Sequence, residues 1–276
     1  MFQTETSRRR FDACLIAGIL IAAGAAFAGL RSTGIDPAWF LQPTGAFIVL
    51  GGSLGVMLIT TPGHSLIHSL RRVLQLFAPA YGGSEALVEE IIRCARIARR
   101  DGPRGLEALA KRAPDPFLRE ALTLASDFND HAQLQATLET SLRLCERQGE
   151  TDARTFEVAG GFAPTIGIIG TVVGLIQIMR QFSSMQSVGA GIGTAFVSTL
   201  YGLALANLVL LPIAHRIRAR VAETVELQEL IVEGVVCMAE GVHPTLIRAR
   251  LRSFLRKKED AADPVVEAAS VRGVTA

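Results

Sequence analysis

The side chains best placed to do chemistry in this chain are uncharged oxygens inside two apolar stretches. Thr165, Thr171 and Gln177 lie in the run Val158–Met179, and Thr194, Ser198, Thr199, Tyr201 and Asn207 lie in Ile192–Ala214. Neither run holds a charged residue. In hydrocarbon such groups either hydrogen-bond neighbouring helices or replace part of a cation's water shell. Passing a cation across lipid needs a carboxylate or a ring of oxygens. No Asp or Glu lies in any of the four apolar runs of the chain (13–30, 43–61, 158–179 and 192–214). An ion path here would therefore take its titrating group from another chain, with Thr171 and Thr199 offering hydroxyls to that group or to a hydrated ion. The plain alternative is that both threonines only join helices.

Other chemistries find little footing. His64 and His68 stand at the i, i+4 spacing of a zinc helix, but Ser65 occupies the place of the glutamate that such a helix uses as general base. Two interfacial histidines are the simpler reading, and no metal or cofactor is expected. Cys14, Cys94, Cys145 and Cys237 lie too far apart for a CxxC or ladder pattern and read as buried thiols. No P-loop, GxSxG or dinucleotide fingerprint occurs, so the chain does not read as an enzyme. The net charge of +2 gives no case for nucleic acid.

The elements that position the hydroxyls follow from hydropathy. With 49% hydrophobic residues, 20% charged residues and a mean hydropathy of +0.34, the chain combines membrane spans with a sizeable aqueous part. Each apolar run holds about 20 residues, enough to cross a bilayer as a helix. Arg8–Arg10, Arg71 and Arg72, and Arg216, Arg218 and Arg220 flank the spans on one side, whereas the two short loops opposite hold only Arg31 and Arg180. The positive-inside rule then puts both termini and the long insert in the cytoplasm.

Five segments result: a two-span hairpin (1–62), a cytoplasmic helical domain (63–157), a second two-span hairpin (158–214), C-terminal cytoplasmic helices (215–258) and a disordered tail (259–276). Within the insert, Ser84 is expected to cap one helix and Asp115, followed by Pro116, another. Gly102 and Gly241 are expected to end helices. No alternating strand pattern occurs, so the fold class is all-α. The basic face of the last helix, from Arg248 to Lys258, reads as a solvated face beside the membrane, with contact to anionic lipid as the alternative. Pro164 and Pro212 fall near the cytoplasmic ends of spans three and four, as hinges or as tolerated span-end prolines.

FAPTIGIIGTVVGLIQIM and GTAFVSTLYGLALANLVLLPIAHRIRAR resemble the pore hairpin of the MotA/PomA stator subunits of the bacterial flagellar motor, within the wider MotA/TolQ/ExbB ion-channel family. DPAWFLQPTGAFIVLGGSLGVMLIT is similar to that family's first loop and second span, ARIARRDGPRGLEAL and DPFLREAL to its insert, and EGVHPTLIRARLRSFL to its closing helix. The resemblance covers roughly residues 12–256.

It implies an inner-membrane subunit with four spans that couples proton or sodium flow to torque. The path would be shared with a single-span MotB-like partner carrying the ion-binding aspartate. Thr171 and Thr199 would face the path, with Ser198 standing where sodium-type relatives often carry another threonine, which leans the reading to protons. Pro164 and Pro212 would couple ion flow to conformational change. Arg99 and Glu107 would engage a FliG-like rotor protein. Five copies around two partner chains are implied. The near alternative is an ExbB/TolQ-type energiser of the outer membrane; a non-conducting scaffold is the rival from another class.

Overall fold

The computed structural model describes residues 40–76, 83–128, 130–180 and 185–262, with ten scattered positions between Ala17 and Gly34. Among the described residues every regular element is helical, in keeping with an all-α fold. The expected first span, 13–30, lies largely outside them. The tail is outside them from residue 263 on.

Among the described residues, proline opens four of the helices, at a position where its missing N–H costs nothing. Helix α1 (Pro43–Thr60) begins so and ends at Thr61, whose backbone is extended before Pro62. Helix α2 (Gly63–Leu76) is amphipathic, with Ile67, Leu70 and Leu74 exposed along one stripe. Helix α3 (Ser84–Asp101) is capped by Gly83 without a side-chain bond, so Ser84 lies inside the helix and does not cap it as expected. Gly102, at φ +68°, turns the chain into α4 (Pro103–Ala110). Asp115 caps α5 (Pro116–Asp127) as anticipated, accepting the Leu118 N–H at 2.8 Å.

Helix α6 (His131–Arg180) runs 50 residues without interruption, through Gly160, Gly161 and Pro164. The insert's last helix and the third span are thus one element. Helix α7 (Met185–Ala204) passes into a π-helical turn, Leu205–Leu210, and then into α8 (Leu211–Ala239). The wide turn has a physical cause. Pro212 cannot donate to the carbonyl four residues back, and its ring crowds that carbonyl. The Leu211 N–H bonds the Ala206 carbonyl instead, five residues back, which is the π pattern. Gly241, at φ +74°, ends this stretch, and α9 (Pro244–Ala262) follows, a turn past the end expected near Lys258.

The chain divides into two compact units, with α6 and α8 contributing to both. The first comprises residues 1–80 and 147–221. Three of its stretches, Pro43–Thr60, part of His131–Arg180 and part of Gly191–Ala239, are long and apolar enough to cross a membrane. Small residues let its helices touch: Gly52 meets Ile166, Gly170 meets Ser198, and Gly202 meets the backbone of Ala163 and Gly167. The second unit, 81–146 and 222–276, has an aliphatic core in which Ile91, Leu118, Leu122, Leu134, Leu138 and Ile231 are almost wholly buried. Each such side chain stabilises the unit by about 1.5–3 kcal/mol.

Candidate functional site

The hydroxyls singled out in the sequence come together between α6 and α7. Thr171 Oγ1 lies 2.5 Å from Thr199 Oγ1, and 3.2 Å from the carbonyls of both Gly167 and Ala195. A threonine has one proton to give. With Thr199 donating to Thr171, the Thr171 proton goes to a carbonyl, and each oxygen keeps a lone pair for an outside group. Both side chains are half-buried, so those lone pairs are reachable. The approach depends on Gly174 and Gly202: a Cβ on Gly174 would lie 2.7 Å from the Ala195 nitrogen, and one on Gly202 2.6 Å from the Ala163 carbonyl oxygen.

Ser198 stands apart from this pair. Its hydroxyl is fully buried, donates to the Thr194 carbonyl at 2.6 Å, and packs against Gly45 of α1 and Gly170 of α6. At the start of α1, Tyr201 OH donates to the Phe40 carbonyl and accepts the Gln42 N–H at 3.3 Å, while Thr194 Oγ1 donates to Gln42 Oε1 at 3.2 Å. The two prolines differ in setting. Pro164 sits in unbroken α-helix, whereas Pro212 follows the π turn.

Two polar clusters brace this unit where α6 meets α2 and α8. Asp152 is wholly buried, yet His68 Nδ1 lies 2.9 Å away, Ser69 Oγ donates at 3.0 Å, and Arg72 Nε stands 3.4 Å off. A buried carboxylate persists only with such pairing. His68 is thus engaged by a carboxylate, and among the described residues no group suited to hold a metal occurs. On the other side, Arg218 forks onto Glu150 at 2.8 and 3.0 Å and also reaches Glu157. The Arg218 guanidinium holds both carboxyls below their ordinary range. Sequence reasoning missed both clusters. One signal was present: His68, Ser69 and Arg72 share a face of α2, opposite the Ile67–Leu70–Leu74 stripe.

In the second unit, Arg99 is exposed in the last turn of α3 and makes no ion pair among the described residues. Glu107 of α4 pairs with Lys111 at 2.9 Å, which lowers its carboxyl. No ion pair joins Arg99 to Glu107.

A family model described as the MotA/TolQ/ExbB proton channel family matches residues 109–229. "Uncharacterized protein YtxD" of Bacillus subtilis (strain 168) is 30% identical over 250 residues, which span 91% of this chain and 89% of that protein. The chain belongs to the MotA/TolQ/ExbB proton channel family. Within it, the chain is similar to "Motility protein A" of Bacillus subtilis (strain 168), at 28% identity over 253 residues, 90% of this chain and 92% of that one. It also superposes on a chain of the flagellar MotAB stator complex from Bacillus subtilis with a TM-score of 0.77 and 26% identity, covering 90% of this chain and 98% of that chain. These near full-length matches put the chain on the MotA/PomA side of the family, at the inner membrane.

Proposed function

We infer that this chain is a stator subunit of the bacterial flagellar motor, in which ion flow through a complex with a MotB-like partner drives rotation. The MotA-type matches along nine-tenths of the chain favour this over an ExbB/TolQ-type role. The observation that carries the mechanism is the Thr171–Thr199 pair: two half-buried hydroxyls with spare lone pairs, in a hairpin without a carboxylate. The partner's single span supplies the aspartate. Protons, or sodium ions, pass between that aspartate and the threonine pair, while Ser198 supports the path from behind by packing α7 against α1. Charging and discharging of the aspartate shifts α6 against α7, with Pro164 and the π turn before Pro212 absorbing the motion. Four spans with both termini in the cytoplasm, five copies around the partner, and contact of Arg99 and Glu107 with the rotor complete the reading.

The test measures proton and sodium uptake into vesicles holding the complex with its partner. Thr199→Val keeps the shape of the side chain and removes its oxygen. Uptake should fall several-fold while co-purification of partner and subunit is unchanged. Uptake equal to that of the unmodified complex removes Thr199 from the path.

A further inference from the structure

A second site lies in the second unit, where the end of α3 faces the start of α9. A cavity of about 350 Å³ opens there, lined by Arg96, Arg99, Arg100 and Arg248 together with His243 and Thr245. Ile92 and Pro244 supply an apolar part of the lining. Four guanidiniums around one concavity make it strongly positive, and among the described residues carboxylates pair with only two of them. Glu89 takes Arg248 through two hydrogen bonds, and Asp101 takes Arg100 through two, at 2.8 and 3.0 Å. Arg96 and Arg99, one turn apart on α3, have no ion pair among the described residues. Like charges at that spacing repel and weaken the helix. A preference of cations for the helix C-terminus accounts for Arg99 in the last turn but not for Arg96.

Backbone donors of α9 are not free to serve a ligand. The N–H groups of Leu246 and Ile247 go to the His243 carbonyl at 2.8 and 3.1 Å, and that of Thr245 goes to His243 Nδ1 at 3.4 Å. Recognition therefore falls to the guanidinium forks, which match oxyanions. A carboxylate side chain brings one negative charge and would leave one arginine uncompensated. A phosphoryl group brings about −1.5 to −2, close to the sum of Arg96 and Arg99. The volume sits at the small end of metabolite pockets, and Ile92 and Pro244 suit the uncharged part of such a molecule.

We propose that this cavity binds a small phosphorylated metabolite, with its phosphoryl oxygens on Arg96 and Arg99. The site stands independently of the stator reading; its consequence rests on that reading, since an occupied cavity engages Arg99 and withdraws it from the rotor.

The test is equilibrium dialysis of the intact complex, with its partner and without a rotor, against radiolabelled pyrophosphate and, separately, ADP. Saturable binding of one molecule per chain is expected, weakening as salt rises. Arg96→Ala and Arg99→Ala should each weaken it roughly tenfold or more, the scale of a lost charge-assisted bond. Arg93→Ala, which removes a partner of Glu90 on the same helix outside the cavity, should leave it unchanged. Equal affinity for both probes points to phosphate itself, and preference for ADP points to a nucleotide. No saturable binding up to millimolar probe, binding that survives Arg96→Ala, or tighter binding of a glutamate-rich peptide than of either phosphate each overturns the proposal. With no rotor in the assay, its failure is distinct from failure of the stator reading.

Discussion

Replacing Gly174 by alanine tests whether the threonine pair depends on helix contact. The added Cβ would stand 2.7 Å from the Ala195 nitrogen and 2.9 Å from its Cα, where ordinary contact begins at 3.4 Å. Both obstacles are backbone-bound, so side-chain rotation gives no relief. Helices α6 and α7 must part locally by about 0.7 Å. Thr171, one turn earlier, reaches the Ala195 carbonyl at 3.2 Å, and that separation takes the bond beyond hydrogen-bonding distance. Overpacking of this kind costs about 1–3 kcal/mol, and a lost interhelical bond in a membrane bundle adds about 0.6, at most about 1.7 kcal/mol.

A destabilisation of roughly 2–4 kcal/mol follows, equivalent to a fall of roughly 5–12 °C in Tm for a chain of this size. The assay is thermal unfolding of the detergent-purified complex, with ion uptake as the functional readout. Gly161→Ala is the control, because it lies on the same helix with nothing within 4 Å of its Cβ position. That change should be neutral or stabilising by up to about 1 kcal/mol, the ordinary gain of alanine over glycine in a helix. If Gly174→Ala melts no lower than Gly161→Ala, the glycine-dependent approach of α6 and α7 is wrong.

Burial pushes the Cys94 thiol from 9.0 up to about 11, and burial likewise raises Cys237. In a Cys14→Ser, Cys145→Ser background, both should resist alkylation near pH 8 until denaturant is added; labelling at the unfolded rate would contradict their burial. Because the folded value of Cys94 exceeds the unfolded one, its contribution to stability is whole below about pH 9 and lost as pH rises toward about 11. Arg218 acts in the opposite direction. It lowers Glu150 and Glu157 from 4.5, so their contribution is present above that value and lost as pH falls through the lowered range. The acid-induced loss of stability should be smaller in Arg218→Ala than in the unmodified chain, and an identical pH profile in the two would remove this ion pair as a cause of acid sensitivity.

Local chemistry was legible wherever one residue decides the backbone. Asp115 before Pro116 caps a helix as read, and Gly102 and Gly241 take the positive φ that their helix ends need. Ser84 failed as a cap because Gly83, one residue earlier, already takes that position. The continuity of α6 was only half visible, since Gly160, Gly161 and Pro164 resemble punctuation in the sequence, yet the helix runs through all three. The threonines could be named from the sequence, but their pairing depends on the register between α6 and α7, which glycine contacts set. Asp152 was not legible at all. His68, Ser69 and Arg72 lie 80 or more residues away, and a lone aspartate on a charged helix does not announce burial.

The π turn before Pro212 has a bearing on how such chains tolerate change in length. One residue more than an α-helix needs is housed between Leu205 and Leu210. Each residue of an α-helix advances the side chains by about 100°, so everything from Leu211 onward is turned by about that angle from where an uninterrupted helix would carry it. The buried faces of α8, with Ala214, Ile217 and Val221 inward, are phased to this offset. Deleting a single residue from 205–210 would restore a plain helix and leave that stripe facing inward, whereas closing the turn to α pitch with every residue kept would rotate it by about 100°. Changes of length in this membrane segment are therefore governed by angular phase, and the turn at 205–210 is where one residue can be lost without disturbing it.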